Sequence, residues 1–378
     1  MNTPVTHRPP SRLAVCGWDE RAREALGALE ATGAFTGAAV GDRLGASLVE
    51  ARRATGLPCF QHVSEMVRAA EYDAILFAAT RATGAQEVPT AAVVAAARGA
   101  HLLVLADGVP GAALLSAAAA ATTHDVPLTL LQPATHDAGI ADLRQAVAVD
   151  VPVRLDITVE APVDAAMLLR TAVGYLAEVL EHVDGAVRAS AWPHPATTTP
   201  EAALAYAVDL EAGEGRSTIR VRHAPTTFVR ITADSARGAA ELHVRDGGPE
   251  FRFTSSASQQ GEHLRYRPDA VDHWAAEAER AAHPARREDR GRAALQGALL
   301  DAIERSAATG EPQSTSCCRR PELRPELHLV RGLGRDEAPG HQAPGHQAPG
   351  LQAPGHQDDH HDLSPRPRRT PNLRLVVS

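Results

Sequence analysis

Residues 12–43, RLAVCGWDERAREALGALEATGAFTGAAVGDR, constrain the fold more than any other stretch. A short apolar run, Leu13-Ala14-Val15-Cys16, meets a glycine turn at Gly17, and a helix follows from about Arg21. A second apolar run near Ala38 to Val40 then ends in Asp42. Strand, glycine turn, helix, strand and acid is the layout of a βαβ unit that binds a dinucleotide. The turn reads Gly17-Trp18-Asp19-Glu20-Arg21-Ala22, so only the first of three expected glycines is present. Ala22 is an acceptable substitute for the third. Asp19, in the second place, sets a carboxylate where backbone amides should approach a pyrophosphate, and like charge repels it.

The pattern continues as short apolar runs alternating with helical segments. Candidate strands end near Cys16, Val40, Phe60, Ala79, Leu105 and Leu131. Helices are expected around Arg21–Thr32, Ala46–Thr55, Val63–Ala70, Pro89–Arg98 and Gly111–His124. Strand cores such as Ala74-Ile75-Leu76-Phe77 and Leu102-Leu103-Val104-Leu105 are continuous apolar runs, the form taken by strands buried on both faces of a parallel sheet. The fold class is therefore α/β, opening with a Rossmann-like, doubly wound parallel sheet. After a connecting helix near Asp142–Val149 the pattern changes. Arg154–Glu160 alternates polar and apolar residues, and a long helix follows from about Asp164 to His182. Strand-like runs come next at Leu204–Leu210, Thr218–Arg222, Phe228–Thr232, Glu241–Arg245 and Phe251–Phe253. Their alternation predicts an open, mostly antiparallel sheet with one face in water. Asp246-Gly247-Gly248-Pro249 is a hairpin signal. A final helical stretch, Val271 to Ala308, packs back or frays at Pro284.

These shifts divide the chain into a flexible terminus (1–10), a nucleotide-binding domain (11–135), an α+β substrate and dimerisation domain (136–312) and a low-complexity tail (313–378). The tail holds four five-residue units, APGHQ, APGHQ, APGLQ and APGHQ, and is too polar to order itself. Its histidines (His341, His346, His356, His360, His361) sit on no rigid scaffold, and no metal site is assigned to them.

Composition excludes several classes of function. A net charge of −8 argues against nucleic acid or an anionic membrane as the main partner. Every basic residue is arginine, which removes Schiff-base chemistry and any lysine general acid. Aromatic residues make up 3%, so the cores must be built from Ala, Val and Leu. The cysteines form no C-x-x-C pair; Cys16 and Cys59 read as buried small hydrophobes, and Cys317-Cys318 lie in a polar linker. The first eleven residues lack the apolar core of a signal peptide, and no apolar run reaches the ~18 residues of a membrane helix. A cytoplasmic protein is the expectation.

An N-terminal nucleotide fold followed by an open antiparallel sheet resembles the Gfo/Idh/MocA oxidoreductases, relatives of glucose-fructose oxidoreductase and inositol dehydrogenase. The likeness is carried by VCGW (Val15–Trp18), the acid in AAVGDR, YDAILFAAT (Tyr72–Thr80), AAARGAHLLVL (Ala95–Leu105) and ERSAATGEP (Glu304–Pro312). The resemblance implies NAD or NADP as cofactor and a small-molecule substrate. It also implies pairing with a second copy or a related chain through the exposed sheet. Three departures from the family accompany it. Asp19 replaces the second glycine. The family's Glu-Lys-Pro signature is Leu105-Ala106-Asp107 here, and alanine can neither position nor protonate a substrate. The family's aspartate and histidine, four apart in the second domain's long helix, would fall near Arg170 and Gly174 by register. Two readings follow: a divergent NAD(P)-dependent oxidoreductase with degenerate motifs, or a non-catalytic scaffold or regulatory partner that kept the fold and needs no cofactor.

The candidate cofactor-binding residues are Gly17, Trp18, Asp42, Arg43 and Thr80. Asp42 stands twenty-five residues after Gly17, where the family's acid binds the adenosine ribose, or it is a turn former beside Gly41. Arg43 offers a partner for a 2′-phosphate, so NAD versus NADP stays open. Ligands of open α/β sheets bind outside the C-terminal ends of the strands. Asp107 follows the fifth strand there, and Gln132, His136 and Asp137 follow the sixth. Asp107, His136 and Asp137 are the candidate catalytic residues, with His136 suited to acid–base work near neutral pH. A polar loop in which Asp137 caps the next helix explains the same residues. His101 opens its strand at the opposite end of the sheet and reads as structural, and Trp192-Pro193-His194-Pro195 reads as a rigid loop.

Overall fold

The apolar runs of the first third become a six-stranded, all-parallel sheet in the computed structural model, with strand order β3-β2-β1-β4-β5-β6. The residues described are 9–78, 87–132, 138–147, 154–180, 185–193, 204–212, 215–236, 238–245, 248–256, 261–266, 273–283 and 288–314. The strands are β1 (Ser11–Cys16), β2 (Phe35–Gly41), β3 (Cys59–Phe60), β4 (Ala74–Phe77), β5 (His101–Leu105) and β6 (Leu128–Leu131). Between them run α1 (Glu20–Ala31), α2 (Gly45–Thr55), α3 (Val63–Ala69), α4 (Glu87–Ala97) and α5 (Gly111–Thr123). The order reverses between β1 and β4, so the open crevice lies where those two neighbours end, at Cys16 and Phe77.

Alternate residues of each strand enter two separate cores. Leu13, Val15, Leu76, Leu103 and Leu105 face one way, onto α1. Ala14, Cys16, Ile75, Phe77, Leu102 and Val104 face the other way, onto α3, α4 and α5. Those helices are rich in alanine, the strongest helix former, whose small side chain lets backbones come close. The second core runs on without a break beneath the other sheet, which makes the two layers one packed body.

That other sheet has nine strands in the order β14-β13-β12-β11-β7-β10-β9-β8-β15. Its strands are β7 (Arg154–Ala161), β8 (Gly185–Pro193), β9 (Leu204–Ala212), β10 (Gly215–His223), β11 (Phe228–Ser235), β12 (Gly238–Arg245), β13 (Gly248–Ser255), β14 (Gly261–Arg265) and β15 (Gln313–Ser314). All pairs are antiparallel except β7 with β10. The expected hairpin pairs Arg245 with Gly248, and its two central residues lie outside the described set. One face packs on α6 (Ala138–Val147), α7 (Ala165–Val179) and α9 (Glu288–Thr309). The other carries cross-strand ion pairs such as Arg222–Glu160, Arg230–Glu241 and Arg265–Glu250.

Three expectations change. The Trp192-Pro193 half of the proposed rigid loop is the end of strand β8, held by pairing with Ala205 and Leu204 of β9; His194 and Pro195 lie outside the described residues. The last helical stretch is two helices, α8 (His273–Ala282) and α9, and Pro284 lies outside the described residues. Cys59 is only half-buried, because β3 is the edge strand, whereas Cys16 is buried as expected.

The return of α8 and α9 closes the parallel sheet. β6 is its edge strand, with backbone groups facing away from β5. Side chains pair them: Leu130 N–H donates to Asp289 at 3.2 Å and Gln132 N–H to Glu277 at 2.6 Å. Arg280 donates to the Leu130 carbonyl and joins both acids, reaching Glu277 at 2.5 Å and also pairing Asp289. Burial lowers the Arg280 pKa, but its two carboxylate partners outweigh that and hold it above its usual value; burial pushes Asp289 up. No described helix is long and apolar enough to cross a membrane.

Candidate functional site

The glycine turn forms as its sequence requires. Gly17 sits at φ +84°, a conformation that a side chain disfavours, and its N–H donates to the Gly41 carbonyl at 2.8 Å. The turn is tied to the end of β2 by the predicted acid. Asp42 accepts from the Trp18 amide and from the Leu44 amide, each at 2.8 Å, through different carboxylate oxygens. It is fully buried. The candidate ribose ligand thus also serves as the fastener between the phosphate turn and the start of α2. A carboxylate offers roughly four acceptor positions, so two bonds leave two over, but with the side chain fully buried a diol reaches them only if the surrounding turn shifts.

Asp19 has a structural use that explains its presence. It is the N-cap of α1, and its carboxylate accepts the Ala22 amide at 2.8 Å. The amides of Glu20 and Arg21 have no partner within the helix, since the first turn cannot supply one. Trp18 contributes backbone rather than surface, for its indole is buried beside Ala22 and Leu26 and its Nε1 has no acceptor. Arg43 is exposed, with its Nε 3.8 Å from Glu87. Thr80 lies outside the described residues. The backbone of this turn, the free amides of α1 and the acid after β2 fit a dinucleotide; Asp19 alone opposes it, by charge and by occupying the helix start.

Beyond the end of β5 a second group assembles from three separate elements. Ala106, in the place of the family's lysine, is buried, and its amide continues the strand ladder to Leu131 at 3.0 Å. Asp107 follows and turns its carboxylate to Arg21 of α1 at 2.5 Å. Arg21 also reaches the Met167 sulfur of α7 at 3.2 Å. Arg170, one turn further along α7, donates to the Asp107 carbonyl at 3.4 Å. The second carboxylate oxygen of Asp107 and Nε of Arg170 are both buried without a hydrogen-bond partner. Burial lowers the Arg170 pKa, opposed by Glu304, Asp164, Asp107 and Tyr206. The Tyr206 phenol is held above its usual range by burial and by Glu304.

The register that places the family's helix pair at Arg170 and Gly174 points both positions at strand ends. Arg170 meets Asp107, and Gly174 meets Gln132 so closely that a Cβ on it would lie 2.0 Å from the Gln132 amide nitrogen. No side chain fits at 174 while Gln132 keeps its place. Gln132 itself is a tether, accepting from Gln296 at 2.9 Å while its own amide goes to Glu277. Of the predicted catalytic residues, the structure brings Asp107 to the crevice; His136 and Asp137 lie outside the described residues. His101 is away from this end, bonded to Thr129 at 2.9 Å, and burial pushes its pKa down to about 4. Arg21 was not singled out by its sequence. The available signal was its place in the first turn of the helix that follows the glycine.

In sequence, no family model and no curated protein matches the chain. In structure, it is similar to an oxidoreductase from Agrobacterium radiobacter in complex with NAD+, L-tartaric acid and magnesium, at a TM-score of 0.59 and 14% identity over 81% of this chain and 99% of that one. It is similar also to the WlbA dehydrogenase of Bordetella pertussis in complex with NADH and UDP-GlcNAcA (TM-score 0.60, 17% identity, 81% of this chain and 98% of that one). A third likeness is to the UDP-N-acetylglucosamine 3-dehydrogenase GnnA of Acidithiobacillus ferrooxidans (TM-score 0.60, 16% identity, 78% and 97%). With these chains covered almost end to end, the protein has the fold of the Gfo/Idh/MocA-type NAD(P)-dependent oxidoreductases.

Proposed function

We propose that the protein is an NAD(P)-dependent oxidoreductase acting on a small molecule at the C-terminal ends of the parallel strands. The observation that carries this reading is the convergence of Arg21, Asp107 and Arg170, from α1, the end of β5 and α7, beside the glycine turn. Nucleotides in two of the structural neighbours, NAD+ in one and NADH in the other, support the same cofactor class here. Gly17, the α1 amides and Asp42 would hold the nucleotide, with Arg43 beside a 2′-phosphate; Thr80 stays a candidate contact. Bound there, the nucleotide supplies hydride transfer.

The chain's own part is to orient the substrate and to move one proton. With lysine absent at Ala106, Asp107 takes that role in this reading. One of its oxygens is fixed by Arg21, which holds the carboxylate in a single orientation; the other is buried without a partner and would take the proton of a substrate hydroxyl once substrate binding opens access to it. His136 and Asp137, which follow β6, are the further candidates for the same step. The test is a fluorescence titration of the full chain with NADH and NADPH, followed by Asp42→Ala and Asp107→Asn. Saturable binding that is lost in D42A and kept in D107N supports the reading. Absence of binding of either nucleotide would leave a fold kept for a non-catalytic role.

A further inference from the structure

Among the described residues, Arg170 forms no ion pair. Its one hydrogen bond among the described residues is the long contact to the Asp107 carbonyl, and Nε is buried with no acceptor there. Glu304, Asp164 and Asp107 act on it through space, yet none forms an ion pair with it among the described residues. Asp107 is already paired with Arg21, and the Asp164 carboxylate caps α7 by accepting the Met167 amide at 2.8 Å. A buried guanidinium with idle donors is costly, and the through-space pull of these acids offsets that cost only in part. The residue is only partly buried, and its Nη2 is not among the buried atoms, so a ligand can reach that end of the guanidinium.

We propose that the substrate carries a carboxylate, which Arg170 receives on its Nη edge while the reacting carbon faces Asp107. The proposal rests on the crevice being the active site, as argued above. The planar fork of an arginine matches a carboxylate by two parallel hydrogen bonds. A single unpaired positive charge calls for a single negative one. A doubly charged phosphate would face Glu304, Asp164 and Asp107 with only one cation unspent, which disfavours it.

Ligand-observed NMR on the full chain tests this with L-lactate and D-glycerate, their neutral amides lactamide and glyceramide, and inorganic phosphate. The acids are expected to bind at least about tenfold more tightly than the amides, the least that a charge-assisted pair contributes. Arg170→Met should bring the acids down to the level of the amides without lowering the unfolding temperature, since it removes a charge with no structural partner. Arg170→Lys, which keeps charge but not the fork, should recover part of the affinity. Equal binding of acids and amides, no binding of either acid, unchanged affinity in R170M, or preference for phosphate over both acids would each overturn the assignment. A marked loss of stability in R170M would do so too, by making Arg170 structural. Failure of the oxidoreductase reading looks different: no nicotinamide nucleotide would bind, while Arg170-dependent binding of the acids would survive.

Discussion

Asp42 carries two functions on one carboxylate, and they can be separated by measurement. Replacing it with alanine strands the Trp18 and Leu44 amides in a buried place, and each bond to a charged acceptor is worth about 1.5–3 kcal/mol. D42A should therefore lose roughly 3 kcal/mol or more in urea denaturation without any nucleotide present. A residue that acted only as a ribose ligand would show no such loss. Asp19 predicts the opposite trade. D19G gives up a cap for a few tenths of a kcal/mol and clears the carboxylate from the helix start, so nucleotide affinity should rise. Unchanged affinity would move the phosphate elsewhere. His101 makes the acid limb testable. Its folded pKa of about 4 lies below the unfolded value near 6.5, so the unfolded chain binds the proton first as pH falls. Its contribution is complete above about pH 6.5 and is lost down to about pH 4, roughly 2 kcal/mol of it between pH 7 and pH 5. His101→Gln should flatten that part of the stability profile, and an unaltered slope would assign the loss to other groups.

At the scale of elements, the edge of the parallel sheet is the feature with most at stake. Arg280 is shared by Glu277, Asp289 and the Leu130 carbonyl, so Arg280→Met leaves two buried carboxylates without their cation. Breaking a buried pair from one side costs about 3–5 kcal/mol, and exchange of the Leu130 and Gln132 amides should quicken along with it. A loss under 1 kcal/mol would mean that the edge is held by packing alone. None of this clamp was legible in the sequence, because Glu277, Arg280 and Asp289 lie about 150 residues from the strand they cover. The parallel strands were legible, since burial on both faces demands runs such as Leu102-Leu103-Val104-Leu105. β8 escaped notice because GAVRASAWP is built mostly of small residues with little strand preference, and β14 because GEHLR lies on an exposed edge with no apolar face to alternate. In the site, Gly17, Asp42 and Asp107 could be read from position along the chain. Arg21 and Arg170 could not be read as neighbours, because only the folded chain brings α1 and α7 together.

For the whole molecule, the apolar core shared by the parallel sheet and the nine-stranded sheet fixes α7 against the strand ends, and that placement makes the crevice. The fold is that of nicotinamide-dependent oxidoreductases, with alanine at the place where those enzymes are expected to carry a lysine and an arginine-flanked aspartate just after it. The central claim is that this crevice still holds a nicotinamide nucleotide. The direct measurement is a thermal-shift titration of the full chain with NAD, NADH, NADP and NADPH. A nucleotide at a hundred times its dissociation constant should add about 2.7 kcal/mol of stability, and at least one of the four is expected to do so. A flat response to all four, up to millimolar concentration, would contradict it.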